Sequence, residues 1–264
     1  MAGIESRHVA TALGLTIISA AIILGTLTQL GPDWSVFVPA TCTTTRCFCE
    51  MPRIGALIVQ PANSWSSYGY AFAGYLMIVL ARGRAWHSGF PPFAAVAFGC
   101  TAIFVGLGSV LLHATLTLWG QFFDVLGMYL VSGFMLVAAL AKWRRLSSRD
   151  AVLLYIFVVG SLAAVLLAMP EVRRWLYAVV LVVAIILELG LARPLRLGVQ
   201  TRYYLTGMAT KAAAFTIWNL DQHGLACAPD SLVQGHAIWH LLGATALWFT
   251  FLYYRSEQPT GVKT

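Results

Sequence analysis

Apolar residues run in blocks along the chain, and charges or turn residues end each block. A helix needs about 20 mostly apolar residues to span the hydrocarbon core of a bilayer. Eight segments meet that length: 9–30, 61–81, 92–114, 120–141, 151–169, 174–192, 203–220 and 234–254. Among the separators are Gly31-Pro32-Asp33, Gly89-Phe90-Pro91-Pro92, Ser147-Ser148-Arg149-Asp150, Met169-Pro170-Glu171 and Arg193-Pro194. Gly and Pro are the strongest local punctuators of structure. The pattern predicts an all-α fold, a polytopic membrane helix bundle without a soluble domain. The first apolar run exceeds the 7–15 residues of a signal-peptide core, and no clear small-x-small site follows it. It is expected to remain as a helix.

Composition agrees with that reading. Apolar residues make up 59% of the chain and charged residues 10%, against roughly 25% charged in a soluble domain. Mean hydropathy is +0.77. A cytosolic enzyme, a disordered chain and a disulfide miniprotein are excluded. The net charge of +7 is not a nucleic-acid footprint, because the cations sort by side. With the N-terminus inside, twelve Lys and Arg fall on the inner side, from Arg7 to Lys263. Four fall outside: Arg46, Arg53, Arg173 and Arg174. The positive-inside rule then puts both termini in the cytoplasm. This bias suits a bacterial inner membrane. No nucleic-acid partner is expected, and no protein partner is evident.

The outer loops are then 31–60, 115–119, 170–173 and 221–233. They hold Cys42, Cys47, Cys49 and Cys227, while Cys100 lies within a helix. Charge bias and cysteine placement thus agree on the oxidising side. Spacing alone leaves two states open, a bridge from the 42–49 cluster to Cys227 and free thiols.

Ionisable side chains within a span cost roughly 2.5–3.5 kcal/mol each at mid-helix, so each invites a functional hypothesis. Six stand out: His113, Asp124, Glu188, Lys211, His236 and His240. Ser109 and His113 are four residues apart, on one helix face. Asp124 begins the next span about one turn from the same outer edge, and the short link makes the two helices antiparallel neighbours. His236 and His240 share a face near the outer end of the last span. Three imidazoles from two helices thus reach one depth, and three histidines plus water form a known catalytic zinc set. Ala237 stands where an HExxH motif would have its glutamate, so the base must come from elsewhere. Asp124 is the depth-matched carboxylate within a helix. The bland alternative is interfacial histidines near the headgroups. Glu188 and Lys211 lie at similar depths from the inner side and are expected to pair. A retinal-type Schiff base on Lys211 is the sharper alternative for that lysine. His223, in the outer loop beside Asp221, is expected to be solvated.

Residues 106–128, GLGSVLLHATLTLWGQFFDVLGM, and 218–240, WNLDQHGLACAPDSLVQGHAIWH, resemble the two defining blocks of the alkaline ceramidase family. That family belongs to a superfamily of seven-helix membrane hydrolases that includes the progestin/adiponectin receptors. The pattern is met by Gly106, Gly108, Ser109, His113, Gln121, Asp124, Asp221, Cys227, His236 and His240. The resemblance implies a seven-helix hydrolase core over 46–256. An extra transmembrane helix and the start of the outer loop would occupy 1–45, and a short cytoplasmic tail 257–264. It implies zinc on His113, His236 and His240, with Ser109 and Asp124 serving the chemistry beside the metal. It also suggests a bridge between Cys49 and Cys227.

Two departures bear on chemistry. The family's calcium site uses a D-W-C-E-x-N stretch and a later glutamate. Here the stretch is Cys47-Phe48-Cys49-Glu50-Met51-Pro52, and Gln60 replaces the glutamate. Only Glu50 survives clearly, as a remnant that makes calcium binding doubtful. The family's D-E-L-P-M run is Asp124-Val125-Leu126-Gly127-Met128, so Asp124 acts without an adjacent carboxylate. The expected activity is hydrolysis of a ceramide-like lipid amide drawn from the bilayer, with the site near the non-cytosolic face. The alternatives are a hydrolase of another lipid amide or ester, and a receptor-like lipid-binding protein with structural zinc.

Overall fold

The structure, a computed structural model, describes residues 4–44, 47–84, 86–225 and 227–259. Arg46 and Lys263 of the charge count, and residues 260–264 of the expected tail, lie outside the described residues. Eight α-helices follow one another: α1 (Ser6–Leu30), α2 (Pro61–Ala81), α3 (Pro92–Thr115), α4 (Leu118–Arg144), α5 (Ser148–Ala168), α6 (Arg173–Leu187), α7 (Thr201–Gln222) and α8 (Gly235–Arg255). Each predicted span overlaps one of them, with ends that differ by a few residues. The sixth differs at its end: beyond Leu187 the helix widens into a π-helical turn, Glu188–Ala192, and tightens into a 3-10 turn, Arg193–Leu195.

Local chemistry sets these boundaries. Pro61 and Pro92 open α2 and α3, where the missing N–H would be unpaired anyway. Thr117 caps α4 by accepting from Gly120 N, and Ser147 caps α5 by accepting from Asp150 N. Leu116 and Arg145 end α3 and α4 with positive φ, 49° and 53°, the left-handed turn that stops a helix.

Among the described residues, five stretches are long and apolar enough to cross a membrane: α1, α3, α4, α5 and Pro170–Leu195. Helices α2, α7 and α8 have 21, 22 and 21 residues, about 31 Å or more at 1.5 Å per residue. They fall short in hydropathy because they carry polar groups. Asn63, Ser64 and Ser67 lie on α2, Lys211, Asn219 and Asp221 on α7, and His236 and His240 on α8.

Helices α2, α3, α4 and α6 pack in succession, and α8 packs on both α2 and α7. α1 leans on α2 from outside, and α5 on α4. The main core lies between α2, α3, α4 and α8, around Met77, Phe98, Phe134, Phe251 and Tyr254. α1 buries Ala12, Thr16, Ser19 and Leu27 but exposes Ile17, Ile18 and Ile22, as a helix facing lipid on one side would.

The loop between α1 and α2 folds back over one end of the bundle. Its Val59 and Gln60 N–H groups donate to Ala114 O and His113 O at 3.0 and 2.9 Å, two carbonyls that the end of α3 leaves unpaired. Two disulfides brace this end, Cys42–Cys47 and Cys49–Cys227. The second ties the loop to the α7–α8 connection, as the family resemblance suggested. Cys100 is a free thiol.

The expected pairing of Glu188 with Lys211 does not form. Arg196 folds back over the π turn and holds both Glu188 oxygens, at 2.7 and 3.1 Å. Lys211 points instead at α8, where its Nζ lies 3.6 Å from the centroid of the Trp239 ring. His87 and His223 are exposed.

Candidate metal centre

Two glycines bring three helices to one point. A Cβ on Gly106 would lie 2.8 Å from Ser67 O and 2.9 Å from Ala71 N, so α2 can approach α3 only over a bare backbone. A Cβ on Gly108 would lie 2.5 Å from Phe123 O and 3.2 Å from Asp124 N, which sets α4 equally close on another face. Ser109 follows at this junction, and His113 lies one turn further toward the loop end.

The three histidines converge there. His113, His236 and His240 are 0%, 5% and 2% exposed. Their ring centroids are 4.9, 5.1 and 4.5 Å apart pairwise. One nitrogen from each lies within 4.8 Å of the others. Among the described residues, His113 Nε2 and His236 Nδ1 are buried without a hydrogen-bond partner. A buried imidazole nitrogen normally finds a partner, and unsatisfied lone pairs facing a common space are what a cation requires. Three neutral imidazoles suit a tetrahedral ion that keeps one open position, so the donor set fits zinc.

Neighbours fix how the rings stand. His113 Nδ1 lies 2.9 Å from Gln60 Oε1, and Gln60 Nε2 donates to Glu50 O at 2.9 Å. The amide thus leaves its oxygen for the ring N–H, so Nε2 keeps its lone pair. His240 Nδ1 lies 2.9 Å from Ser66 Oγ and 3.2 Å from Ser67 Oγ, both on α2. Such partners fix tautomer and orientation in metal sites. Phe48, from the loop between α1 and α2, covers the histidines, with its centroid 4.6 Å from that of His113 and 4.1 Å from that of His236.

Ser109 Oγ lies 3.2 Å from His240 Nε2 and hydrogen-bonds with the Asp124 side chain. Ser109, Asp124 and the three histidines therefore meet as one group, with Ser109 linking Asp124 to the histidines, while Glu188 and Lys211 lie outside it. Asp221, assigned from the sequence to a loop, instead ends α7 and is 1% exposed. Its two oxygens accept from Cys49 N and His236 N, each at 3.1 Å. It therefore holds the start of α8 against the disulfide.

Glu50 is not free to act as a simple calcium ligand. Its oxygens accept from Ala62 N at 2.7 Å and Asn63 N at 2.9 Å, filling the capping role at the start of α2. Burial pushes its carboxyl up from the ordinary range, against the pull of those two N–H groups.

Gln60, Ser66, Ser67 and Phe48 were not among the candidates taken from the sequence. Gln60 had a signal, since it stands where the family has a calcium-site glutamate, and Phe48 sits between two cysteines. The serines had none beyond lying on a polar stretch of α2.

Residues 40–258 match the family model described as Ceramidase. The matched stretch contains α2 to α8 and leaves α1 outside. No curated protein matches the chain.

Proposed function

Since the chain belongs to the ceramidase family, we propose that it is a zinc-dependent lipid amidase of the membrane. It would hydrolyse the N-acyl amide of ceramide or a related lipid to a fatty acid and an amine. The observation that carries this reading is the convergence of three buried imidazoles, two with unpartnered nitrogens, beside a linked Ser109–Asp124 pair.

His113, His236 and His240 hold the ion. When bound, zinc supplies Lewis acidity and lowers the pKa of water toward about 7. Asp124 takes the proton of the attacking water as its oxygen bonds to the amide carbon. It returns that proton to the nitrogen as the C–N bond breaks. Ser109 donates a hydrogen bond to the developing oxyanion. Gln60, Ser66 and Ser67 keep the histidine rings oriented, and Phe48 shields them from the outer side.

Sidedness follows from the charge bias and the disulfides, which support a site near the non-cytosolic face with both termini in the cytoplasm. In this reading α1 is an addition to a seven-helix hydrolase core over 46–256, followed by a short tail.

Metal analysis and a lipid-amide panel on purified protein test the reading. Wild type carries one zinc per chain and releases fatty acid from ceramide, and His240→Ala loses both. Asp124→Asn keeps its zinc and loses turnover by about 10²–10⁴-fold, the range for a removed general base. A full metal complement in His240→Ala would reject the ligand set, and wild-type turnover in Asp124→Asn would reject the base.

A further inference from the structure

Lys211 is a cation in the middle of a membrane-spanning helix, and the reaction described above makes no use of it. Among the described residues no carboxylate forms an ion pair with it. Its partners are ring faces: Trp239 at 3.6 Å and Tyr177 of α6 at 5.9 Å. Trp239 precedes His240, and its ring lies 5.8 Å from that of Trp218. Trp218 in turn lies beneath the Arg174 guanidinium at 5.2 Å. Arg174 also makes no ion pair among the described residues, and it lines a cleft of about 310 Å³ with Arg173, Glu171 and Gln222. A ladder therefore runs from the outer rim, Arg174–Trp218–Trp239–Lys211, and ends beside the metal centre.

The ladder lies along a seam. α2 with α3, α3 with α4, α4 with both α5 and α6, and α7 with α8 pack directly on one another. α6 and α7 are instead bridged by side chains, with Arg174 over Trp218 and Lys211 facing Tyr177. Phe215 of α7, 53% exposed, lies on the same side, its ring centroid 5.4 Å from Trp218 and 6.4 Å from Trp239 in tilted contacts. Lys211 is half-buried, and ring faces offset only part of what an ammonium loses in hydration within a membrane span. A lipid with an anionic end would supply the missing counter-charge and leave its chain against Phe215 and the exposed face of α6.

We propose that Lys211 is the anion-binding residue of a lipid subsite in the α6–α7 seam, and that its ligand is a lipid carboxylate. A monovalent carboxylate matches one ammonium at this depth, and amide hydrolysis generates one. Two sources share that chemistry: the headgroup of an N-acyl amino acid substrate, and the fatty acid product. The inference rests on the amidase reading only for the origin of its ligand, because binding can be measured without turnover.

Dibromostearate and its methyl ester, titrated against tryptophan fluorescence of the zinc-loaded protein in micelles, test the subsite. Bromine quenches on contact, and Trp239 lies against Lys211 with Trp218 next beyond it. The acid binds at least tenfold tighter than the ester in wild type. That preference collapses in Lys211→Met and survives in Lys211→Arg. Equal binding of acid and ester by wild type, or a preference intact in Lys211→Met, would overturn the proposal whatever the enzyme hydrolyses. Kinetics then separate the sources. If Lys211→Met raises the KM ratio of N-stearoylglycine to ceramide, the carboxylate belongs to the substrate. If it raises only the inhibition constant of stearate, it belongs to the product. If neither rises, the subsite is rejected. A ceramidase assay that fails while the acid preference persists would sink the amidase reading alone.

Discussion

Two polar clusters interrupt the apolar bundle, one near each end, and they are built on opposite rules. At the inner end of the proposed orientation, every charge of the cluster is answered. Arg196 holds Glu188 at 2.7 and 3.1 Å and Glu257 at 2.7 Å, and Lys142 meets the other Glu257 oxygen at 2.5 Å. Tyr253 donates to Glu188 at 2.7 Å, and the Tyr254 ring lies 5.0 Å from the guanidinium carbon. Two cations and two carboxylates close on themselves and tie α4, the π turn and the end of α8 together. The Tyr204 and Tyr254 hydroxyls nearby lack partners among the described residues, but a neutral hydroxyl is a poor metal ligand. At the outer end the histidines keep unpartnered lone pairs behind a covering ring. A closed set of charges is architecture, and an open set of lone pairs awaits a ligand.

Breaking the closed cluster produces the largest effect on stability. Arg196→Met strands the buried carboxylate of Glu188, 0% exposed and left with the Tyr253 hydroxyl alone, while Glu257 keeps Lys142. Removing one partner of a buried ion pair costs about 3–5 kcal/mol. Thermal unfolding in detergent should show that loss, while zinc per folded molecule stays at the wild-type value. A variant that melts like wild type, or that loses zinc in proportion to its stability, would erase the distinction between the two ends.

The outer cluster responds in metal affinity instead. Gln60→Leu removes the acceptor for His113 Nδ1–H and frees the ring to turn. Loss of such an orienting partner typically weakens metal binding 10–100-fold, about 1.4–2.7 kcal/mol. Competition with a chelator measures this directly. The melting point of the zinc-free protein should move far less than in Arg196→Met. An unchanged zinc affinity would mean that packing alone, including Phe48, holds the ring.

The contrast between the two ends also separates what could be seen in the sequence from what could not. Helix positions were legible because in lipid each span must satisfy its own backbone, so apolar run length predicts the element. The histidines were legible because the i, i+4 spacing and short antiparallel links place them at one depth. Ser66 and Ser67 were not, since which α2 side chains meet α3 and α8 depends on the close approach at Gly106, and Gln60 showed only as a departure from the family's calcium-site glutamate. The inner pairing was mistaken for a local reason. Depth along the axis matched Glu188 to Lys211, but the π turn carries Glu188 toward α4 and brings Arg196 back onto it. A turn that departs from the 3.6-residue period is invisible to periodicity.

The smallest expected effect lies between the two designs, in a buried carboxylate that meets no buried cation. Glu50 is 4% exposed and is answered by two backbone N–H groups rather than by a guanidinium. Burial raises its pKa above the ordinary 4.5 despite those bonds. Below 4.5 the group is protonated in both folded and unfolded chains. Between 4.5 and its raised folded value only the unfolded chain ionises. Unfolding is therefore increasingly favoured as pH rises through that window, and the penalty is complete above it. Glu50→Gln cannot ionise and should not show that slope. The same substitution gives up one acceptor at the α2 cap, worth about 0.5–2 kcal/mol, so the two effects oppose each other at neutral pH and leave a small net change. Melting midpoints across the window, with zinc held constant, should fall with pH in wild type and run flatter in Glu50→Gln. Parallel curves would show that the two N–H groups compensate the buried charge as fully as Arg196 compensates Glu188.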